Sequence, residues 1–238
     1  MKALRTDSAG PTVLLWRAAF TLTDLLLVIA AVLLLAALLV PVIGKTRAKT
    51  RLAQCISNLQ QVNHAVLLYA EDNRKTLPLT NSPAPGGWWY YKEQVKGYVG
   101  LTGRSSAKDQ MFACPNDRGY APAGEKPDPF CRNEKYVYTS YVFNGVNLPG
   151  VPNIAGREIA SIKAPDQTLL VMEWTAHAPL SWHRSRTGSA NSPFYDGAES
   201  VVAFVDGHVN LTKIYYDGCN AAFTRDPIPG YDYKYSGD

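Results

Sequence analysis

From Leu25 to Ile43 no charged residue interrupts a run made almost wholly of Leu, Val, Ile and Ala. At ~1.5 Å of rise per helical residue, about 20 such residues cross the ~30 Å hydrocarbon core of a bilayer. The run therefore predicts a membrane-spanning helix. It exceeds the ~7–15-residue core of a removable secretory signal, and Pro41, Gly44 and a basic cluster (Lys45, Arg47, Lys49, Arg51) close it; a retained anchor is expected. Apolar or small residues then recur at Leu52, Cys55, Ile56, Leu59, Val62, Val66 and Tyr69, with Gln54, Asn58, Gln61, Asn63 and Glu71 between them. That is helical spacing with one apolar face. One helix is predicted from about Leu22 to Asp72, kinked at Pro41, where a backbone donor is lost and the ring crowds the preceding turn.

After Leu77-Pro78 the pattern changes to short apolar runs between turn signals. Residues 78–87 read as a loop, and Trp88 to Leu101 as a short helix or strand with aromatic core residues. Tyr136 to Phe143 predicts a strand ending at Asn144-Gly145, and Gln167 to Trp174 a mostly buried strand. Ser200–Val205 and His208–Ile214, joined by Asp206-Gly207, carry the strongest short-range hairpin signal, in which both turn residues would take positive φ. A long helix needs a sheet face to bury its stripe. The expected fold class is α+β: a long N-terminal helix, membrane-spanning in its first half, packed on a small antiparallel head. The expected division is 1–19 leader, 20–44 transmembrane helix, 45–73 helical stalk and 74–238 exported head.

Composition narrows the field. Hydrophobic residues make up 46% and charged residues 18% of the 238 residues, which describes a folding chain rather than a disordered one. A net charge of +4 is small for a nucleic-acid binder, and the clearest basic cluster flanks the apolar run, so no nucleic-acid partner is expected.

Upstream of the run the chain reads Arg17-Ala18-Ala19-Phe20-Thr21-Leu22-Thr23-Asp24. A basic leader, a small residue, Phe-Thr-Leu and an acid within the apolar helix resemble the cleavage and methylation signal of type IV prepilins and type II secretion pseudopilins. The resemblance implies a cut by prepilin peptidase between Ala19 and Phe20, methylation of the new amine, and Asp24 as the acid that meets that amine on a neighbouring subunit. A carboxylate within a bilayer costs on the order of 2.5–3.5 kcal/mol and calls for such a partner. Ala19 stands where the family usually has Gly, and Asp24 where it has Glu. Cys55 through Val62 and Tyr69 through Asn73 resemble the family's stalk, and Cys114-Pro115-Asn116-Asp117 its Cys-Pro-Ser-Asp element. The hairpin resembles the processing-associated element written His, nine residues, Asp-Gly, although Asp196 occupies the His position.

Four cysteines, Cys55, Cys114, Cys131 and Cys219, follow the apolar run and would face an oxidising compartment. Three pairings are open; Cys114 with Cys131 is local, and Cys55 with Cys114 would tie stalk to head. Their spacings match no CxxC zinc pair. Asp196 and Asp206, with Glu199 and His208, are the candidate oxygen-rich set for Ca²⁺, against which stands the turn role of Asp206 and Gly207; no other cofactor is expected. An enzyme would have to use Glu173, His177 and His183, but no HExxH motif, nucleophile elbow or phosphate loop accompanies them, and no catalysis is expected. The abundant aromatics suit a core more than a display surface.

The expectation is a structural subunit in the bacterial inner membrane, single-pass, with its head in the periplasm, on the cell surface or in a filament. Its partners would be other pilin-like subunits, prepilin peptidase and membrane lipid. The alternatives are an anchored extracytoplasmic binding module and, further off, an anchored hydrolase.

Overall fold

A computed structural model describes residues 21–80, 87–120, 126–145, 150–176, 181–183, 197–215 and 226–238, and of residues 39–43 the backbone alone. Ala19, Phe20, His177, Asp196 and Cys219 lie outside the described residues. The chain divides into two compact units, Met1–Thr46 and Arg47–Asp238.

Helix α1 covers Leu22–Asp72, the range its apolar spacing predicts, and contributes to both units. In the first unit its start is capped reciprocally. Asp24 Oδ2 accepts from the backbone N–H of Thr21 at 2.9 Å and from its hydroxyl at 2.6 Å, while the Asp24 N–H donates to Thr21 Oγ1 at 3.2 Å. This is a capping box, which satisfies amide donors that the first turn of a helix leaves without partners. The leucines that follow, from Leu22 to Leu38, are exposed. Among the described residues no helix is long and apolar enough to cross a membrane; the apolar run continues into residues 39–43, whose side chains are not described. Helical backbone continues through Pro41.

The second unit is α+β. Four antiparallel strands lie in sequence order: β1 (Tyr141–Phe143), β2 (Leu169–Glu173), β3 (Glu199–Phe204) and β4 (Val209–Lys213). β1 and β2 are buried at every position and β3 at all but its first, which is why they read as continuous apolar runs, whereas β4 is at most half-buried. The stripe of α1 supplies Cys55, Leu59, Val62, Val66 and Ala70 to the core. Two asparagines on the same helix reach into the head: Asn58 Nδ2 donates to the carbonyls of Gln110 and Ala113, and Asn63 Nδ2 to that of Phe204. Helix α2 (Gly87–Val95) adds Trp89, Tyr91, Lys92 and Val95. Phe130 is the hub of an aromatic cluster with Trp89, Tyr136, Trp174 and Trp182, at centroid separations from 4.5 to 6.0 Å.

Two sequence expectations need correction. The strand predicted over 136–143 is only Tyr141–Phe143, because Val137 and Tyr138 take positive φ of 53° and 52°. For a β-branched residue that conformation is an outlier, and a buried cation imposes it. Lys92, fully buried on α2, donates to the carbonyls of Val137 and Tyr138, each at 2.9 Å, and pairs with Asp109 Oδ2 at 2.9 Å. The three protons of its ammonium thus match three acceptors. Burial lowers the Lys92 pKa against the pull of Asp109. Burial works against Asp109 as well, but the bonds from Lys92 and from the Ser106 backbone hold its carboxyl below the usual range.

The hairpin also differs at its tip. Gly207, at φ 100°, is the only one of the two turn residues with positive φ. The Gly207 N–H donates to the carbonyl of Phe204 and the Phe204 N–H to that of His208, each at 3.0 Å, closing a three-residue loop over Val205–Gly207. A loop of that length places its single left-handed residue last, where glycine fits.

Candidate functional site

A buried polar cluster of the second unit surrounds Cys55, where α1 packs on the head. Cys55 on α1 is bonded to Cys114, so the stalk-to-head pairing is the one formed and Cys131 is left as a free thiol. The helical stripe turns Cys55 inward, and the Asn58 bonds to Gln110 and Ala113 bring the segment bearing Cys114 against it.

Beside the disulfide lies a buried carboxylate–imidazole pair. Glu173 ends β2 opposite Tyr141 of β1 and is fully buried. Its Oε2 accepts from the Val201 N–H of β3 at 2.9 Å, and its Oε1 lies 2.8 Å from His183 Nε2. His183 Nδ1 lies 3.1 Å from Asn116 Nδ2. With the amide nitrogen donating to Nδ1, the imidazole is neutral and its Nε2–H donates to Glu173, so every buried polar atom of the pair has a partner. The backbone that carries the ring is held as well, since the His183 backbone N–H donates to Ser181 Oγ at 2.9 Å and Arg118 donates to the Ser181 carbonyl at 2.9 Å. One ligand atom from each of Cys55, Cys114, Glu173 and His183 falls within 4.8 Å of all the others.

Next to this group sits Asp117, the residue after Asn116. Its Oδ1 accepts from the Gly119 N–H at 2.8 Å; its Oδ2 accepts from the Cys131 N–H at 3.0 Å and from Ser140 Oγ at 2.8 Å. Ser140 Oγ in turn accepts from the Cys114 N–H at 2.9 Å, coupling the carboxylate to the disulfide segment. Burial pushes the Asp117 carboxyl up despite these donors, and burial together with the Asp117 charge pushes the Cys131 thiol up to about 11. A thiol so placed is a poor nucleophile at neutral pH. Gly119 has φ 66°, and a Cβ there would fall 2.0 Å from the Asp128 carbonyl oxygen. Cys114, Asp117, Cys131, Asn58 and Gln110 line a cleft of about 340 Å³.

The structure thus joins two of the three residues proposed for an enzyme, Glu173 and His183, and adds Asn116 and the disulfide, which sequence reading did not connect with them. The Cys-Pro-Asn-Asp segment carried that signal: Asn116 and Asp117 are the residues that reach the imidazole and the free cysteine. Asp206, one of the four residues of the proposed Ca²⁺ set, is exposed at the hairpin tip; its Oδ1 accepts from the His208 N–H at 3.0 Å and lies 2.6 Å from His208 Nδ1. His208 also stacks on Phe204 at 4.2 Å. These contacts give Asp206 and His208 a local structural role at the turn. No family model, curated protein or solved structure matches the chain.

Proposed function

We propose that the chain is a filament-forming subunit of the pilin or pseudopilin kind, anchored in the bacterial inner membrane by the first part of α1 and displaying the α+β unit outside it. The observation that carries this reading is the two-sided character of a single 51-residue helix. From Leu22 to Leu38 its apolar side chains are exposed, whereas from Cys55 to Ala70 its stripe is core. Exposed leucines in such number need lipid or neighbouring helices to cover them. The capping box suits the same reading: cleavage between Ala19 and Phe20 would place a new amine next to Thr21, where Asp24 already gathers positive partial charge. In an assembled bundle Asp24 would meet the Phe20 amine of a neighbour, and apolar packing of the helices would supply cohesion. The action is mechanical, and neither catalysis nor a cofactor enters it.

The test is intact-mass spectrometry of the membrane fraction, with a strain lacking prepilin peptidase beside it. A mature chain beginning at N-methylated Phe20 in the first strain alone is the expected result. A chain beginning at Met1 in both would refute the subunit reading and favour an anchored binding module, for which the cleft beside Asp117 would be the place to look.

A further inference from the structure

We propose that Cys55, Cys114, Glu173 and His183 form a zinc site that the chain assembles when its disulfide is reduced. The donor set is two sulfurs, an imidazole nitrogen and a carboxylate oxygen, which is ordinary zinc chemistry. Tetrahedral zinc with bonds of about 2.0–2.3 Å needs its ligand atoms roughly 3.3–3.8 Å apart. Here all four already lie within 4.8 Å of one another. Adjustments of about 1 Å complete the shell, the sulfurs separating once the bond between them is gone.

Charge and second-layer contacts favour the exchange. With Glu173 as a carboxylate and His183 neutral, the group carries one negative charge as a disulfide; as a zinc dithiolate it carries the same, so no new buried charge is created. Asn116 meets the far nitrogen of the imidazole at 3.1 Å, and with its amide turned so that the oxygen accepts from Nδ1–H it would hold the ring as a metal-bound histidine requires. The Val201 N–H holds the second oxygen of Glu173, and the first, which faces His183 Nε2 at 2.8 Å, turns to the metal once that nitrogen gives up its proton. The spacing of the cysteines, 59 residues apart, conceals the site from motif searches.

A dithiol reductant gives two electrons and two protons to the Cys55–Cys114 bond and becomes a disulfide, leaving two thiols. Zn²⁺ displaces both thiol protons to solvent. The proton on His183 Nε2 is likewise released while Nδ1 takes one up from solvent, with Asn116 turning its amide oxygen to accept it. An oxidising compartment keeps the disulfide; a folded chain exposed to reductant holds the same junction through the metal.

The experiment uses the full chain in detergent micelles, reduced anaerobically with a phosphine, desalted, and titrated with Zn²⁺ against a chromophoric chelator. About one zinc per chain is expected after reduction and none before it. X-ray absorption of the reduced zinc form should show two sulfur and two nitrogen or oxygen neighbours. The variant carrying both Cys131→Ser and Cys219→Ser should bind as the wild type does, and Glu173→Gln or His183→Gln should weaken binding at least ~tenfold. Absence of zinc after reduction overturns the proposal, as does a shell of three or four sulfurs, loss of binding in the double cysteine variant, or unchanged affinity in both ligand variants. The absorption measurement needs no variant and decides the matter if a substituted chain does not fold. The outcome is independent of whether the chain assembles into filaments.

Discussion

Replacing Lys92 with Met tests the account of the fold most sharply. The side chain is fully buried, and its ammonium meets Asp109 and the carbonyls of Val137 and Tyr138, all at 2.9 Å. Met fills most of the space of the aliphatic stem but leaves a carboxylate that is only 12% exposed without its cation, and two carbonyls without a donor. Breaking a buried pair from one side costs about 3–5 kcal/mol. Against a typical domain stability of roughly 5–15 kcal/mol that is a large fraction. The intact pair contributes less than this, because burial already disfavours the ammonium. Lys92→Met combined with Asp109→Leu removes both charges and should recover about 1–4 kcal/mol relative to Lys92→Met alone. Equilibrium urea unfolding of the full chain in micelles, followed by tryptophan fluorescence, reads the effect; of the five tryptophans, Trp89 has its ring 4.8 Å from that of Tyr136 beside the left-handed pair. If Lys92→Met lies within about 1 kcal/mol of wild type, or if the two substitutions simply add, the buried ammonium does not organise this region and the reasoning fails.

Two further outcomes follow. The Cys55–Cys114 bond closes a loop with a sequence separation of 59, so replacing both cysteines with serine should cost about 4 kcal/mol by the chain-entropy relation, read as a lower urea midpoint with zinc absent; an unchanged midpoint would show that Asn58 and the core alone hold helix to head. Asp117→Asn should lose about 1–3 kcal/mol through a mismatched donor among its three. Because burial raises the Asp117 pKa, the native state binds its proton more tightly than the unfolded chain does. Its contribution therefore declines as pH rises from the ordinary aspartate value through the raised one, and the stability gap between wild type and Asp117→Asn should shrink over that window; a gap that widens with pH would mean that the donors outweigh burial.

What sequence could reveal depended on how local the cause was. The stripe of α1 is periodic, and Leu22–Asp72 follows from it directly. β2 and the β3–β4 pair are apolar runs bounded by turn residues, so their place was legible too. The shortening of β1 was not, because its cause is Lys92, more than 40 residues upstream, with no periodicity linking cation to carbonyl. The hairpin tip misled for a smaller reason: Asp-Gly fits a two-residue turn and also the end of a three-residue one, and only the Phe204–His208 bond decides between them. At the buried cluster, Glu173 and His183 are near enough in sequence to be noticed together, whereas Asn116 and Cys55 reach them only through the packing of α1 on the head. The choice of Cys114's partner rests on that same packing.

Gly119 has a consequence for lineage. A side chain there would strike the backbone of Asp128, which no rotamer change relieves, and the residue's left-handed φ excludes most substitutes independently. Two positions earlier, Asp117 is held by donors from three separate segments. Overall resemblance can fade while such a pair stays fixed, since neither member can drift without the other's surroundings being rebuilt. Distant kin of this chain would then be recognised by the register of Cys114, Asn116, Asp117 and Gly119, long after the rest of the head had diverged.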